Sequence, residues 1–591
     1  MITSVLIDLL RTALANAHSV GDLPLISGDI AIQIETPRNK QFGDYSSNIA
    51  LTLKKATGLS DSRDLAQRII RHFPENAHVT RLEIAGPGFL NFYLKPTWLH
   101  DAMLTIEAED DAYGMSTTLN GETILIEFVS ANPTGPISVV NGRAAVLGDV
   151  LASLLKSQGA KVSREYYIND ALNSLQLEKF ADSVAVRYSQ YLGHPVVVPP
   201  ADADSEEIVE SGIPETNAEK LSIHFPKDGY RGEYVKDIAR DIFSEVGDRL
   251  ENASEEERNA YFRTATLSHM IATQRGALSA FGVEFDTWFY ESALYAENSV
   301  EKSIEQLKAQ GHAYEKEGAL WLKSSDFGDE KDRVLVRSNE KATYVAADIA
   351  YHVNKFERGN TKLINIWGAD HHGYVARLKA GVAAAGYDPK NLDIILTQMV
   401  SLVRDGEAVI GGKRKGNVIE LKEDLVDDIG RDAARFYFLL NSYETPATVD
   451  VELAKRQSNE NPVYYVQYAH ARLVNILRRA EEQGIALQPA ELVERDRLID
   501  AAELDVLRKL TDYPNELTAA TKEYAPHRLT RYAMEMASLL NGFYENCRVL
   551  PSKDEPTPIE LTQARLALVN TARIVLRNLL VILGITPVEK M

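Results

Sequence analysis

The chain has a single cysteine, Cys547, in 591 residues. That excludes a disulfide framework and any zinc cluster built on cysteine, and it fits a reducing compartment, so a cytoplasmic location is expected. No run approaches the roughly 18 continuous apolar residues that a membrane-spanning helix needs. Positive charge is also short: 64 Lys and Arg stand against 85 Asp and Glu, a formal net charge of -21. Such a chain is not a generic nucleic-acid binder. Any nucleic-acid site on it must be a local basic patch that holds against the overall field. What is present is ordinary globular material, 45% hydrophobic and 25% charged, which excludes disordered and low-complexity classes.

At about 150 residues per domain, the length suggests three or four domains. The opening MITSVLIDLLRTALANA ends like a signal cleavage site. Asp8 and Arg11 interrupt the apolar run, however, and Leu6, Leu9, Leu10 and Ala13 share one helical face. An amphipathic helix of a folded domain is expected there, not a signal peptide. Helical patterns followed by the strand–turn–strand RLEIAGPGFLNFYL predict a small α+β domain over residues 1–110.

TILIEFVS then reads as a buried parallel strand. The turn Asn132-Pro133-Thr134-Gly135-Pro136 follows, then an amphipathic helix through Leu155, then the strand KVSREYYIND. This βαβ unit opens an α/β Rossmann-type domain over 111–453, with ligands expected at the carboxyl ends of its strands. A polar helical stretch at about 171–281 reads as a solvated surface insertion. KATYVAADIAYHV, KLINIWGADHHGYV and DIILTQMVSLV look like the second half of the same sheet. Residues 454–591 have helical period throughout and predict an α-helical bundle.

Four clusters could carry chemistry. Glu127, Ser130 and Asn132 end the first strand of the sheet, where they could meet a ligand or merely cap the turn. Ser138 to Arg143 open the following helix, whose free N–H groups suit phosphate, although the pattern is not that of a dinucleotide site. Tyr344 and Asp348 lie four apart and would share a helix face. With Asp370 they offer carboxylates to a cationic substrate, since a planar guanidinium wants bidentate carboxylate partners. The neighbouring His371 and His372 are read as structural or hydrogen-bonding groups, and no metal site is expected. Gly411-Gly412-Lys413-Arg414-Lys415-Gly416-Asn417 is either a mobile phosphate clamp or a basic hairpin turn.

Taken together, EFVSANPTGP, YYIND, TYVAADIAYH, WGADHHGYV, DAARFYFL and ENPVYYVQYAHAR resemble the arginyl-tRNA synthetases, class I aminoacyl-tRNA ligases. GDYSSNIA and AGPGFLNFYL resemble that family's N-terminal tRNA-binding domain. The resemblance implies ATP-dependent activation of L-arginine to arginyl-adenylate and transfer to tRNA-Arg. ATP with Mg2+ would be the only small-molecule requirement besides arginine, without zinc or an organic cofactor. The family precedent implies a monomer with no membrane partner, and a C-terminal bundle that binds the anticodon. Arginine would meet Glu127, Ser130, Asn132, Tyr344, Asp348 and Asp370. ATP would meet Pro133, Thr134, Gly135, Pro136, Ser138, Asn141, Gly142, Gly412, Lys413 and Arg414, with Ser138, Asn141 and Lys413 in the catalytic roles.

The two class I signatures are altered. Where the family has a HIGH-type motif, this chain has Ser138, Val139, Val140 and Asn141, so both imidazoles are replaced by uncharged donors and a branched side chain stands at the glycine position. The KMSKR-type loop aligns with Ile410 to Arg414 and keeps its second lysine as Lys413. Two other readings therefore stay open. One is a related protein that binds tRNA or arginine without efficient aminoacylation, and the other is a ligase for a different cationic acceptor. Arg472, Arg478, Arg479, His527, Arg528 and Arg531 of the bundle are candidates for a tRNA-facing surface.

Overall fold

The computed structural model describes residues 2–26, 30–35, 37, 39–171, 174–199, 208–212, 222–409, 418–552 and 556–591. The basic loop Ile410–Asn417, with Gly412, Lys413 and Arg414, lies outside the described residues.

The N-terminal helix Ile2–Ser19 buries Leu6, Leu10, Ala13, Leu14 and Ala17 on one face, as its spacing requires. It belongs to a small unit with an antiparallel sheet ordered Tyr45–Ser47, Phe89–Leu94, Val79–Ala85. Gly86 and Gly88 adopt the positive φ values, 49° and 134°, that let the last two strands reverse in three residues.

Five parallel strands form the central sheet in the order Leu392–Thr397, Lys362–Gly368, Thr123–Phe128, Lys161–Ile168, Thr287–Tyr290. The register aligns Asn365, Glu127 and Glu165 across the three middle strands. All three are buried, so each needs a partner on the face it presents. The helix Tyr344–Glu357 supplies those partners. KATYVAADIAYHV is thus not a strand. Its apolar residues recur every three to four positions, and burial on several sides at once makes the run look strand-like in sequence. DIILTQMVSLV also divides: Leu392–Thr397 joins the main sheet, whereas Val400–Arg404 pairs with Glu407–Ala408 and Ala447–Asp450 in a separate one.

The polar stretch after Ala171 is more than a solvated insertion. Helices Leu175–Tyr191, Glu233–Val246 and Glu255–Ala280 enclose their own core of Phe180, Val184, Val235, Ile238 and Phe262. The last of them enters the main body, where Ala277 and Leu278 join the principal core.

The C-terminal part is helical: Pro462–Glu482, Ala501–Lys522, His527–Asn546 and Ile559–Ile582. Pro514 lies inside the second of these and has no N–H to give the carbonyl four residues earlier. Tyr113 donates its hydroxyl to that orphan, Leu510 O, at 3.1 Å. The buried Arg435 ties the end of the bundle to the helix Val139–Ser157, donating to Asp149 at 2.5 Å and to Leu583 O at 3.1 Å.

Candidate active site

The site is built where the strand Thr123–Phe128 ends. Val129 and Ser130 both take left-handed backbone, φ 69° and 38°. For a β-branched residue this is costly, about 1–3 kcal/mol, and it persists only where the surroundings enforce it. Here Ser130 Oγ donates to Glu127 Oε1 at 3.0 Å and accepts the Tyr167 N–H at 3.2 Å. The sharp exit places Glu127 and Ser130 beside each other at the carboxyl edge. Asn132 points outward and donates to Gln176 at 3.1 Å.

Pro133, Thr134, Gly135 and Pro136 are buried, and Thr134 O accepts the Tyr234 hydroxyl at 3.1 Å. The helix Val139–Ser157 follows. Asn141 Oδ1 accepts from Ser138 N at 3.2 Å and from Ser138 Oγ at 2.7 Å, so the two residues cap the helix by satisfying each other. Val140 is 49% exposed and stands clear of the packed interior. At Gly142 a Cβ would sit 2.6 Å from Leu421 and 2.9 Å from Phe438, so the helix packs closely there. The helix start is also stitched to the chain that resumes at 418: Val139 N donates to Ile419 O at 3.0 Å and Leu421 N to Ile137 O at 2.8 Å.

The acidic pocket lies under the helix Tyr344–Glu357. Lys355, fully buried, donates to Glu127 at 2.5 Å and to Asn365 Oδ1 at 3.3 Å. Asn365 Nδ2 then contacts His352 Nε2 at 2.8 Å, and His352 Nδ1 contacts Asp348 O at 2.8 Å. Burial and the Lys355 charge hold His352 well below its usual pKa. The neutral ring thus donates from Nδ1 to the carbonyl and accepts at Nε2 from the amide. The Asp348 carboxylate accepts the Tyr374 hydroxyl. Its pKa is pushed up to about 6, first by burial and then by Glu127.

Glu291, 3% exposed, directly follows the strand Thr287–Tyr290. Burial raises it to about 7, reinforced by Asp348 and Asp170. Carboxylates held above their ordinary range in this way would gain from a cation placed beside them. Sequence reasoning missed Glu291, Lys355 and Tyr374. The signal for Glu291 was its place at the carboxyl end of a parallel strand.

Tyr344 does share the helix with Asp348, at its first residue, but is 67% exposed. The Asp370 side chain is 81% exposed, 3.6 Å from His371, outside the buried part of the pocket. His371 and His372 are exposed as well. Among the described residues no group of three or more His, Cys, Asp or Glu side chains is arranged to hold a metal ion, and no helix is long and apolar enough to cross a membrane.

A parallel five-stranded sheet with carboxylates at its carboxyl edge, followed by a helical bundle, fits a class I aminoacyl-tRNA synthetase, and the comparisons with known proteins make the class plain. The family model described as tRNA synthetases class I (R), catalytic domain, matches residues 215–461. The arginyl tRNA synthetase N terminal domain matches 4–94, and the DALR anticodon binding domain matches 466–591. The arginine–tRNA ligase of Carboxydothermus hydrogenoformans is 43% identical over 563 residues, 95% of each chain. That of Desulforamulus reducens is 42% identical over 591 residues, 100% of this chain and 99% of the other. Thermus thermophilus arginyl-tRNA synthetase shares the fold, with a TM-score of 0.71 at 20% identity and 100% of both chains covered. The chain belongs to the arginyl-tRNA synthetase family.

Proposed function

We propose that this chain is an arginine–tRNA ligase acting through the residues that converge at the sheet edge. In the first step a carboxylate oxygen of arginine attacks the α-phosphate of ATP and pyrophosphate leaves. In the second, a hydroxyl of the terminal ribose of tRNA-Arg attacks the acyl carbon and AMP leaves. The observation that carries the reading is a pair of carboxylates at the sheet edge, the half-buried Asp348 and the buried Glu291, each raised by desolvation, Asp348 further by Glu127 and Glu291 further by Asp348 and Asp170. A guanidinium placed between them relieves both effects. Ser130, beside Glu127, would meet the α-amino end, with Asn132 at the mouth and Tyr344 over the side chain. Glu127 is already paired with Lys355, so it shapes the pocket without adding net charge.

ATP would lie along the turn Pro133–Pro136 and the helix start, where Ser138 and Asn141 are the polar groups and the helix N-terminus favours phosphate. Gly412, Lys413 and Arg414 would close over the pyrophosphate. Magnesium would arrive as the counter-ion of the ATP phosphates, which needs no dedicated protein cage. We take the chain as a cytoplasmic monomer divided near residues 110 and 453. The test is charging of tRNA-Arg by purified protein with ATP, magnesium and labelled arginine. Binding of tRNA without charging would overturn the reading.

Two outcomes follow from this geometry. Arginine binding should strengthen as pH rises through about 6 to 7, the raised values of Asp348 and Glu291, and should release protons, measurable by calorimetry in buffers of different ionisation heat. In the absence of arginine the sign for stability is opposite. Between the ordinary values of 3.8 and 4.5 and the raised ones, the folded state holds more protons than the unfolded chain. These two groups therefore lower stability as pH rises towards 7 and add nothing further above it. Affinity flat from pH 5 to 8 would exclude this pocket as the guanidinium site.

The second outcome concerns tRNA. Arg472 lies 4.0 Å over the Tyr544 ring, in a cavity that Arg479, Arg548 and Arg565 also line. The other candidate cations are engaged elsewhere: Arg528 with Glu516 at 3.1 Å, Arg478 with Glu482 at 3.3 Å, Arg531 with Glu535 at 3.9 Å. Burial and Arg531 hold His527 below its usual pKa. With about two phosphate contacts, from Arg472 and Arg479, tRNA affinity should fall roughly 10-fold between about 50 and 200 mM salt. A flat filter-binding titration would exclude it.

A further inference from the structure

The turn after Phe128 is held from outside the sheet. Asn132 and Gly135 present carbonyls that must find donors, because the segment between them is buried. One side chain serves both. Gln274, from the helix Glu255–Ala280, donates through Nε2 to Gly135 O at 2.8 Å and to Asn132 O at 3.2 Å. Its Oε1 accepts the Tyr166 hydroxyl at 3.0 Å. That hydroxyl oxygen in turn accepts the Ala131 N–H at 3.1 Å. Gln274 and Tyr166 are both 0% exposed. Both amide hydrogens of Gln274 are used, and they hold the turn two and five residues beyond Ser130, the second of the left-handed pair Val129 and Ser130. An extended turn that leaves a strand through two such residues does not keep its shape unaided.

We infer that Gln274 is a positioning residue for the reaction: with Tyr166 it clamps the strained turn so that Ser130, on one side, and Ser138, on the other, keep arginine and ATP aligned. The inference rests on the reading that residues 127–141 line the substrate site. It assigns a role in the chemistry to a helix that the sequence presents as part of a polar insertion. The clamp touches backbone only, so it acts through the turn and contacts neither substrate. Displacement of reacting groups by about 1 Å costs on the order of 100-fold in rate.

The test is Gln274→Met, which keeps length and shape and removes both donors and the acceptor. Charging kcat, corrected for the folded fraction measured by circular dichroism at the assay temperature, should fall about 10- to 100-fold. The Kd for tRNA should remain that of the wild type. Tyr166→Phe should act in the same direction, and the double variant should lose less than the product of the two, because both belong to one unit. Wild-type kcat per folded molecule in Gln274→Met would overturn the clamp. So would a loss that tRNA affinity follows in step, since that marks a general structural role. If Gln274→Met does not fold, Tyr166→Phe decides on the same criteria, because it leaves the ring stacked on Trp288 at 4.3 Å. A charging wild type with an indifferent Gln274→Met sinks the clamp alone. A wild type that neither binds arginine nor charges tRNA sinks the reading beneath it as well.

Discussion

Replacing Asp348 by alanine should raise the KM for arginine about 10²- to 10⁴-fold, because a guanidinium drawn into the pocket without its charged partner loses about 3–5 kcal/mol. The site makes this loss hard to compensate. Glu127 is bound to Lys355 at 2.5 Å and cannot move to the guanidinium without leaving a buried ammonium unpaired. Glu291 is raised to about 7, so at neutral pH it supplies only part of a charge until arginine binds. Tyr374 donates to Asp348 and in the variant would face an apolar methyl. Stability should move the other way. Asp348 is held above its ordinary range by burial and by Glu127, so the arginine-free fold carries it at a cost. Asp348→Asn keeps the shape and should match or exceed the wild-type Tm while losing arginine use. An Asp348→Asn enzyme with wild-type KM for arginine would remove Asp348 from the site.

The parts of this architecture that were legible in the sequence are those that local pattern encodes. TILIEFVS reads as a buried strand because its apolar run has no alternation, and the following Asn132–Pro136 turn and amphipathic helix complete a recognisable βαβ unit. Asp348 was legible as a pocket carboxylate through its helical spacing from Tyr344, and the family resemblance pointed to the same pair. The pattern erred where burial is many-sided. The helix Tyr344–Glu357 is covered by the sheet and by its neighbours, so its apolar residues do not form a single stripe, and the run passes for a strand. Asp370 was grouped with the pocket because it follows the strand Lys362–Gly368, and its side chain stands exposed beyond the turn there. Gln274, Glu291 and Lys355 were not legible because their meaning is set by partners far away in sequence. Gln274 meets Gly135 across 139 residues and Lys355 meets Glu127 across 228. Nothing in the local composition of a polar helix distinguishes a solvated glutamine from one that holds a turn.

Lys355 is the position where such a long-range contact should have its largest effect on stability. Its ammonium, 0% exposed, is the single cation set against the buried Glu127 at 2.5 Å, and it also donates to Asn365 and lies 4.1 Å from the Tyr351 ring centroid. Removing one partner of such a pair leaves an uncompensated buried charge and typically costs about 3–5 kcal/mol. Lys355→Met should therefore lower stability by that amount, read from denaturant midpoints. The double variant Glu127→Gln with Lys355→Met should recover most of the loss, since a neutral amide beside an apolar chain has no charge to compensate. Activity should not recover with it. Lys355 begins the relay through Asn365 and His352 to the Asp348 carbonyl, and Glu127 holds Ser130 at 3.0 Å, so both ends of the arginine pocket lose a fixed support. Recovery of stability without recovery of kcat/KM for arginine is the expected pattern. Recovery of both would show that the pair serves folding alone, and recovery of neither would show that the packing of the Lys355 stem, rather than its charge, holds the helix on the sheet.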